Sequence, residues 1–147
     1  MSSRVHLAGP EDLTRLEKMV ASYHAEAGIE SDLQSRAAAI EPLLEGSPHG
    51  AIWLIGPRMS PVGYVAVSFG WSLELGGMDG FVDEIWLREA VRGRGMGGEA
   101  LSELLKTLDQ AGVKAMHLEV EKDGPAGRLY RRVGFKERRY ALMTRYA

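Results

Sequence analysis

Four glycines and two arginines lie close together in one segment, Arg92-Gly93-Arg94-Gly95-Met96-Gly97-Gly98. Glycine permits backbone turns in which several N–H groups point at one place, and a helix beginning there adds the positive end of its dipole. Arginine side chains beside such a loop can donate charge-assisted hydrogen bonds to phosphate oxygens. The segment therefore indicates a phosphate-binding loop, and the alternative is a flexible glycine loop with solvated arginines.

The same glycines also permit a second interpretation. Gly93, Gly95 and Gly98 fit the G-x-G-x-x-G pattern of dinucleotide-binding folds, and acidic residues follow about 20 positions later. In those folds the first glycine directly follows a strand, whereas residues 88–92 intervene here. Only about 50 residues remain for further βαβ units, so a nicotinamide or flavin oxidoreductase is the weaker hypothesis.

Helices and strands must hold this loop in place, and the sequence predicts both. Helical spacing of apolar residues, with proline or capping residues at the starts and glycine at the stops, predicts helices over 10–28, 31–45, 98–111 and 125–133. Residues rich in Val, Ile, Phe and Trp predict strands over 4–7, 51–55, 62–75, 81–87 and 115–120, and a terminal hairpin of 135–138 with 142–146. Glycine-rich residues 76–80 are expected to form a turn. We expect one mixed α/β domain over residues 1–147.

The composition agrees with a single globular domain. Hydrophobic residues make up 45% and charged residues 26% of the 147, close to the average for globular proteins. No stretch approaches the roughly 20 apolar residues of a membrane span, and the first residues lack the apolar core of a signal peptide. There are no cysteines, so a cytoplasmic protein without membrane attachment is expected. The four histidines show no metal-binding spacing, and no metal site is expected.

The charge is unevenly distributed along the chain. The net charge is −2, which does not favour a nucleic-acid partner. Residues 1–75 contain five basic and nine acidic side chains, whereas residues 76–147 contain thirteen and eleven. An anionic ligand is therefore better received by the second half.

Three segments together resemble the GNAT superfamily of acyl-CoA-dependent N-acetyltransferases. Residues 92–97 resemble its R/Q-x-x-G-x-G/A pyrophosphate loop, residues 84–87 its fourth strand, and residues 123–135 its N-x-x-A-x-x-L-Y-x-x-x-G-F signature. The motifs occur in the expected order and are specific when taken jointly. The resemblance implies a mixed, mostly antiparallel and splayed sheet of six to seven strands with about four helices.

The resemblance also implies that acetyl-CoA lies between the fourth and fifth strands, with a backbone N–H near Leu87 polarising the thioester carbonyl. Asp123 stands where the family usually has Asn, so it keeps an acceptor but lacks the amide donor; alternatively it caps the helix at Pro125. The residues implied to bind the cofactor lie on the fourth strand, the loop and the last helix: Ile85, Trp86, Leu87, Arg92, Gly93, Arg94, Gly95, Met96, Gly97, Gly98, Asp123, Ala126, Tyr130 and Arg132.

Three residues are implied to carry the proton transfers. Tyr130 matches the family's tyrosine that protonates the departing thiolate, and a phenol with a pKa near 10 suits a thiol of about 8.5. The amine needs a proton acceptor or a water relay, and Asp83 and Glu84, which resemble the acidic pair of diamine acetyltransferases, are the candidate acceptors. Successive strand residues point to opposite faces, so only one of the two can face the substrate unless a bulge intervenes.

The implied function is direct transfer of an acetyl group from acetyl-CoA to a primary amine of a small molecule. A polyamine-like acceptor is suggested by acidic residues in the N-terminal half and the strand turn, together with one indole: Glu26, Glu30, Asp32, Glu74, Asp79 and Trp71. Two alternatives stay open, a non-catalytic acyl-CoA binding or sensing module and an acetyltransferase of a protein amine. The resemblance also suggests a homodimer.

Overall fold

The computed structural model describes residues 4–147, in which two helices follow the first strand, three consecutive strands come next, and a helix, a short strand and a last helix complete the order. The strands are β1 (Val5–Leu7), β2 (Gly50–Ile55), β3 (Gly63–Ser72), β4 (Gly77–Leu87) and β5 (Met116–His117). The helices are α1 (Leu13–Ala27), α2 (Leu33–Leu44), α3 (Met96–Gln110) and α4 (Ala126–Arg132), with short 3-10 turns at Pro10–Asp12 and Glu89–Val91. None of these helices is long and apolar enough to cross a membrane.

The five strands form one sheet in the order β1-β2-β3-β4-β5. All neighbours are antiparallel except β4 and β5, which are parallel and pair only at Gly80 with Met116 and Phe81 with His117. Pairing of β4 with β5 therefore ends halfway along β4, and residues 82–87 have no ladder partner on that side among the described strands. This is the splayed sheet that the family resemblance implies.

Alternating side chains of β3 enter two different cores. Val65 and Val67 pack with α3, whereas Tyr64 and Ala66 pack with α1 and α2 on the opposite face. Residues 63–67 are all buried, which a strand covered by helices on both faces requires. The predicted helical segments supply those covers because each carries an apolar stripe at helical spacing.

Local chain signals set the helix ends close to where they were predicted. α1 ends at Gly28, which adopts φ +71°, a left-handed conformation that favours glycine. α2 begins one residue later than the capping pattern suggested, because Asp32 rather than Ser31 accepts from the Ser35 N–H at 2.7 Å. The prediction of four helices is confirmed.

The prediction of six to seven strands is wrong, since the sheet formed by residues 4–147 has five. Residues 135–138 and 142–146 form no strands, and the strand predicted over 115–120 shortens to two residues. Four consecutive charged residues, 136–139, leave this terminal segment without an alternating apolar face. The short β5 offers little edge for pairing.

The predicted turn over residues 76–80 is also wrong, because most of it belongs to β4. The chain turns earlier, where the Gly76 N–H donates to the Ser72 carbonyl at 2.9 Å. Gly80 instead serves close packing: a Cβ there would lie 2.6 Å from the Met116 sulfur. Glycine at this position therefore permits the parallel approach of β5.

Candidate active site

A β-bulge in β4 brings the acidic pair onto one surface. Ala66 pairs with Glu84 and Val67 with Val82, so Asp83 is the additional residue on β4. A bulge locally overrides the alternation of side chains along a strand. Asp83 and Glu84 consequently line the same cavity. The expectation that only one of these two acids can face the substrate does not apply, because a bulge intervenes.

The cavity has a volume of about 300 Å³ and lies between α1, α2 and the middle of the sheet. Asp83 and Glu84 form one end. Apolar side chains of α1, α2, β2 and β3 form much of the remaining wall. A concave, mostly apolar site with a few placed polar groups is the usual form of a small-molecule site.

Both oxygens of Glu84 are hydrogen-bonded. The Tyr64 hydroxyl donates to Oε1 at 2.7 Å, and His24 Nε2 lies 2.8 Å from Oε2. His24 Nδ1 lies 2.7 Å from the Ser31 hydroxyl, so a neutral ring donating to Glu84 can accept from Ser31. Burial, followed by the charge of Glu84, raises the pKa of Tyr64 far above its ordinary value and keeps the phenol protonated.

Sequence reasoning missed His24 and Tyr64 as members of the site. They lie 60 and 20 residues from Glu84 along the chain. No local spacing links them to the acids, since His24 reads as one polar residue on an amphipathic helix and Tyr64 as a core aromatic.

Asp83 differs from Glu84, because no described side chain donates a hydrogen bond to its carboxylate. Its side chain is exposed at the rim of the cavity, yet enough protein surrounds it that burial raises its pKa. The charges of Glu84 and Glu119 raise it further, while His24 lowers it. A carboxylate whose pKa moves up towards neutral pH is a more effective proton acceptor than an ordinary one.

Two tyrosines extend the site from the acids towards α4. Burial and then the charges of Glu84 and Asp83 raise the pKa of Tyr23. The pKa of Tyr130 is raised by burial and then by Tyr23. The Tyr23 phenol is therefore within electrostatic range of the acidic pair at one end and of Tyr130 at the other. Tyr130 stays protonated at neutral pH and can act as an acid; its ring packs edge-on against Phe135 at 6.1 Å between centroids.

The glycine loop has the geometry of an anion site. Gly93 and Gly95 both adopt φ +78°, and Gly95 is the N-cap of α3. Glu99 makes the first bond of the helix, from its N–H to the Gly95 carbonyl, so the amides of residues 96–98 precede the helical ladder and remain available for a ligand. A Cβ at Gly98 would lie 2.9 Å from a Leu129 methyl, so this glycine lets α4 pack beside the loop.

Arg92 makes its hydrogen bonds to Glu26 and Leu87, whereas the sequence pattern predicts that it binds a phosphate. Its Nη2 lies 2.8 and 2.9 Å from the two Glu26 oxygens, and its Nε donates to the Leu87 carbonyl at 2.9 Å. The Arg92 and Trp86 hydrogen bonds lower the pKa of Glu26. The guanidinium thus ties α1 to the end of β4, whereas Arg94 is exposed beside the loop.

At the end of β4 the side chains are packed, and the backbone is the part that a ligand could contact. Ile85 and Leu87 pack into the core beneath α3, and the Trp86 ring lies 6.5 Å from that of Tyr64. The Arg88 N–H donates to the Val62 carbonyl at 2.8 Å, on the β3 side. Since successive N–H groups of a strand point to opposite edges, the Leu87 N–H points towards the opening beside β5.

The last helix presents the remaining predicted residues. Ala126 begins α4, and Arg132 is exposed at its end. Asp123 adopts φ +64°, a conformation that aspartate and asparagine tolerate better than most residues. The N-cap of α4 is Pro125, so the alternative capping role for Asp123 is wrong.

The acids suggested for polyamine binding do not converge. Glu26 pairs with Arg92, Asp32 caps α2, and Asp79 lies 3.1 Å from His117. Of that set, Glu30 alone lines the cavity, at its exposed mouth. Trp71 is 70% exposed near the far end of β3. Within residues 4–147 no group of three acidic or histidine side chains could hold a metal ion.

Comparisons with known proteins find matches to both the sequence and the fold. The model of the acetyltransferase (GNAT) family matches residues 15–135. An integron cassette protein from the mobile metagenome of Cole Harbour Salt Marsh is 31% identical, with a TM-score of 0.86 over 97% of this chain and 90% of its own. No curated protein sequence matches significantly.

Two more distant structures share the fold. A ribosomal-protein-alanine N-acetyltransferase from Brucella melitensis is 20% identical, with a TM-score of 0.76 over 97% of this chain and 99% of its own. A predicted acetyltransferase from Clostridium acetobutylicum, solved with acetyl-CoA, is 16% identical, with a TM-score of 0.77 over 96% and 94%.

Proposed function

The chain belongs to the GNAT acetyltransferase family, and from that premise we propose that it transfers an acetyl group from acetyl-CoA to a primary amine of a small molecule. The observation that carries this proposal is the Asp83 carboxylate, which lies on the cavity beside the point where β4 and β5 cease to pair. An acceptor in the cavity would meet a thioester held in that opening, with a proton acceptor between them.

Asp83 is proposed to take the first proton from the bound ammonium, because its oxygens are free and its pKa is raised. The nitrogen lone pair then attacks the carbonyl carbon of the thioester, and the Leu87 N–H stabilises the negative oxygen. The carbon–sulfur bond breaks and the thiolate takes a proton from Tyr130. The second proton of the nitrogen leaves to solvent, solvent reprotonates Tyr130, and Asp83 releases its proton to solvent, so that each turnover yields the amide, the thiol of CoA and one proton.

Glu84 is proposed to bind and orient the ammonium. Tyr64 and His24 fix both of its oxygens, so its carboxylate is a placed negative charge. The alternative, in which Glu84 itself takes the proton and His24 receives it, predicts a larger loss for Glu84→Gln than for Asp83→Asn.

The cofactor would lie along the opening from Leu87 to α4. The amides of residues 96–98 and the side chain of Arg94 would hold the pyrophosphate. Asp123 and Ala126 would border the pantetheine arm, and Arg132 would reach the nucleotide phosphates. Arg92 would act through Leu87, whose carbonyl it holds.

A protein amine is the second candidate acceptor, since one structural neighbour carries the name of a ribosomal-protein-alanine N-acetyltransferase. The volume of about 300 Å³ favours a small molecule. A polyamine-like acceptor would need a further carboxylate, and Glu30 is the one described candidate. A homodimer and a cytoplasmic location stay predictions, which sedimentation and cell fractionation would check.

The test is amine-dependent release of CoA, read with a thiol-reactive dye to which this cysteine-free chain contributes no background. We expect Asp83→Asn and Tyr130→Phe to lose activity while Glu41→Gln, an exposed residue of α2 away from the cavity lining, keeps it. Binding of acetyl-CoA without release by any small amine or peptide would instead support the sensing module.

A further inference from the structure

We propose that the acceptor carries a single ammonium group on an apolar body, and so differs from a polyamine. This proposal rests on the acetyl transfer proposed above, because it takes the cavity beside Asp83 as the acceptor site. The distribution of charge within that cavity carries it: Asp83 and Glu84 lie at one end, and the side chains of β3 and β2 that lead away from Glu84 across the sheet, Ala66 and Ile52, are apolar.

The sheet register defines the direction in which a bound amine extends. Ile52 pairs with Ala66, and Ala66 pairs with Glu84, so the three side chains form one row across the cavity floor. Neighbouring strands lie about 4.8 Å apart, which places Ile52 about 10 Å from Glu84 along this row. An amine whose nitrogen meets Glu84 therefore passes over Ala66 and ends near Ile52.

The far end of this row contains no acid. Ile52 is 2% and Ile40 4% exposed, and a methyl of Leu43 lies 3.3 Å from the position of a Cβ on Gly50 in β2. An ammonium group at that end would lose its water without gaining a counter-ion, which is strongly unfavourable. An alkyl or aryl group in the same place would gain from burial.

The other charged groups along the cavity wall do not change this balance. Arg36 is positive, and it is held by Glu17 at 2.7 Å and by the Ser31 carbonyl at 2.7 Å. Glu30 is the one remaining carboxylate among the described lining residues, and it is exposed at the mouth beside Ile29. The second ammonium group of a bound diamine could reach Glu30 only if the molecule did not follow the row from Glu84 to Ile52.

The volume fits a small apolar body. An apolar cavity of about 150 Å³ can hold benzene, and this cavity has about twice that space, 300 Å³. A hexyl or phenylethyl group would fill the row from Glu84 to Ile52. A longer polyamine such as spermine would have to emerge through the mouth.

The decisive experiment compares hexylamine with cadaverine, which has the same number of non-hydrogen atoms but an ammonium in place of the terminal methyl. We expect kcat/KM for hexylamine to exceed that for cadaverine by about 100-fold or more, since the second charge would be buried without a partner. Equal values, or a preference for cadaverine, would overturn the proposal.

Variants of Leu43 test the apolar end directly. Leu43→Glu should raise the cadaverine-to-hexylamine ratio by about 10-fold or more, by supplying a counter-ion where the second ammonium lies. Leu43→Gln is the matched neutral control and should not raise it. If Leu43→Glu does not fold, Ala39→Glu, one turn earlier on α2 and exposed, serves the same purpose. The hypothesis of a polyamine-like acceptor instead predicts that Glu30→Gln lowers the turnover of cadaverine and leaves that of hexylamine unchanged.

A binding measurement separates failure of this proposal from failure of the proposed function. If no amine releases CoA, acetyl transfer to small amines is wrong, and calorimetric titration with hexylamine and cadaverine still decides the preference of the cavity. Tighter binding of hexylamine, abolished by Ala66→Phe, which fills the row, supports the proposal. Tighter binding of cadaverine, or no difference, contradicts it.

Discussion

The cavity beside Asp83 and Glu84 and the glycine loop are built in opposite ways. The cavity depends on side chains from α1, α2, β3 and β4, with partners such as His24 and Glu84 that lie 60 residues apart. The loop depends on the backbone of residues 93–98, in which two glycines adopt positive φ. Substituting one side chain of the cavity should therefore remove the contacts of that side chain alone. The loop should lose its ligand affinity when a substitution disturbs its backbone conformation.

The largest expected effect is on the cavity side. Asp83→Asn should lower kcat about 10²- to 10⁴-fold, the usual loss for a removed general base. The raised pKa of Asp83 means that the base form is lost, as pH falls, at a higher pH than for an ordinary carboxyl. The acid limb of the pH profile of the wild type should therefore lie above the ordinary carboxyl pKa and should disappear in the variant.

Stability provides the control for this substitution. A carboxyl whose pKa is raised on folding contributes stability below the unfolded pKa and loses it as pH rises through the folded pKa. Asp83→Asn should therefore leave the melting temperature at neutral pH unchanged or slightly higher. A melting temperature that falls along with the activity would show a structural role for Asp83.

Tyr64→Phe should cost about 1.5–3 kcal/mol of the free energy of unfolding, since a buried hydrogen bond to a charged oxygen is lost. The Tyr64 side chain is fully buried and its hydroxyl donates to Glu84 at 2.7 Å. Denaturant titrations of Tyr64→Phe, Glu84→Gln and the double variant measure the coupling. Additive losses would contradict a direct contact.

On the loop side, Gly95→Ala should raise KM for acetyl-CoA about 10-fold and leave KM for the amine unchanged, because alanine at φ +78° costs about 1–2 kcal/mol of conformational strain. Gly46→Ala is the matched control, since Gly46 has φ +89°, equally open surroundings and no place at the site. It should cost similar stability without changing either KM. Equal effects of both variants on KM would remove the distinction between the two regions.

The smallest effect is expected from the Glu26–Arg92 ion pair, which joins α1 beside the cavity to the segment that leads into the loop. Glu26→Gln removes an exposed ion pair with Arg92, and such pairs contribute little to stability. If Arg92 acts through Leu87, KM for acetyl-CoA should change by less than about threefold at ordinary salt. A clear fall in KM would show that the freed guanidinium binds phosphate, as the sequence alone suggests.

Much of the fold could be predicted because its signals are local. Gly28 and Gly112 end helices, the leucines of α3 share one face, and the loop before α3 uses glycines at the positions that need positive φ. The strand count failed at the C-terminal end, where predicted strands depended on pairing with a β5 that has only two residues. Pairing is a property of two segments, so one segment's composition does not decide it.

The sequence by itself determined the glycine loop before α3, the order of most elements and the residue types that could move protons, because backbone conformation and helical spacing are encoded within a few neighbouring residues. The tertiary structure alone decided that Asp83 and Glu84 share a surface, through a bulge that depends on the register of β3. It also decided that Tyr64 and His24 hold Glu84 and that Glu26 holds Arg92. Such contacts join distant parts of the chain, and packing of the helices on the sheet brings them within hydrogen-bonding distance.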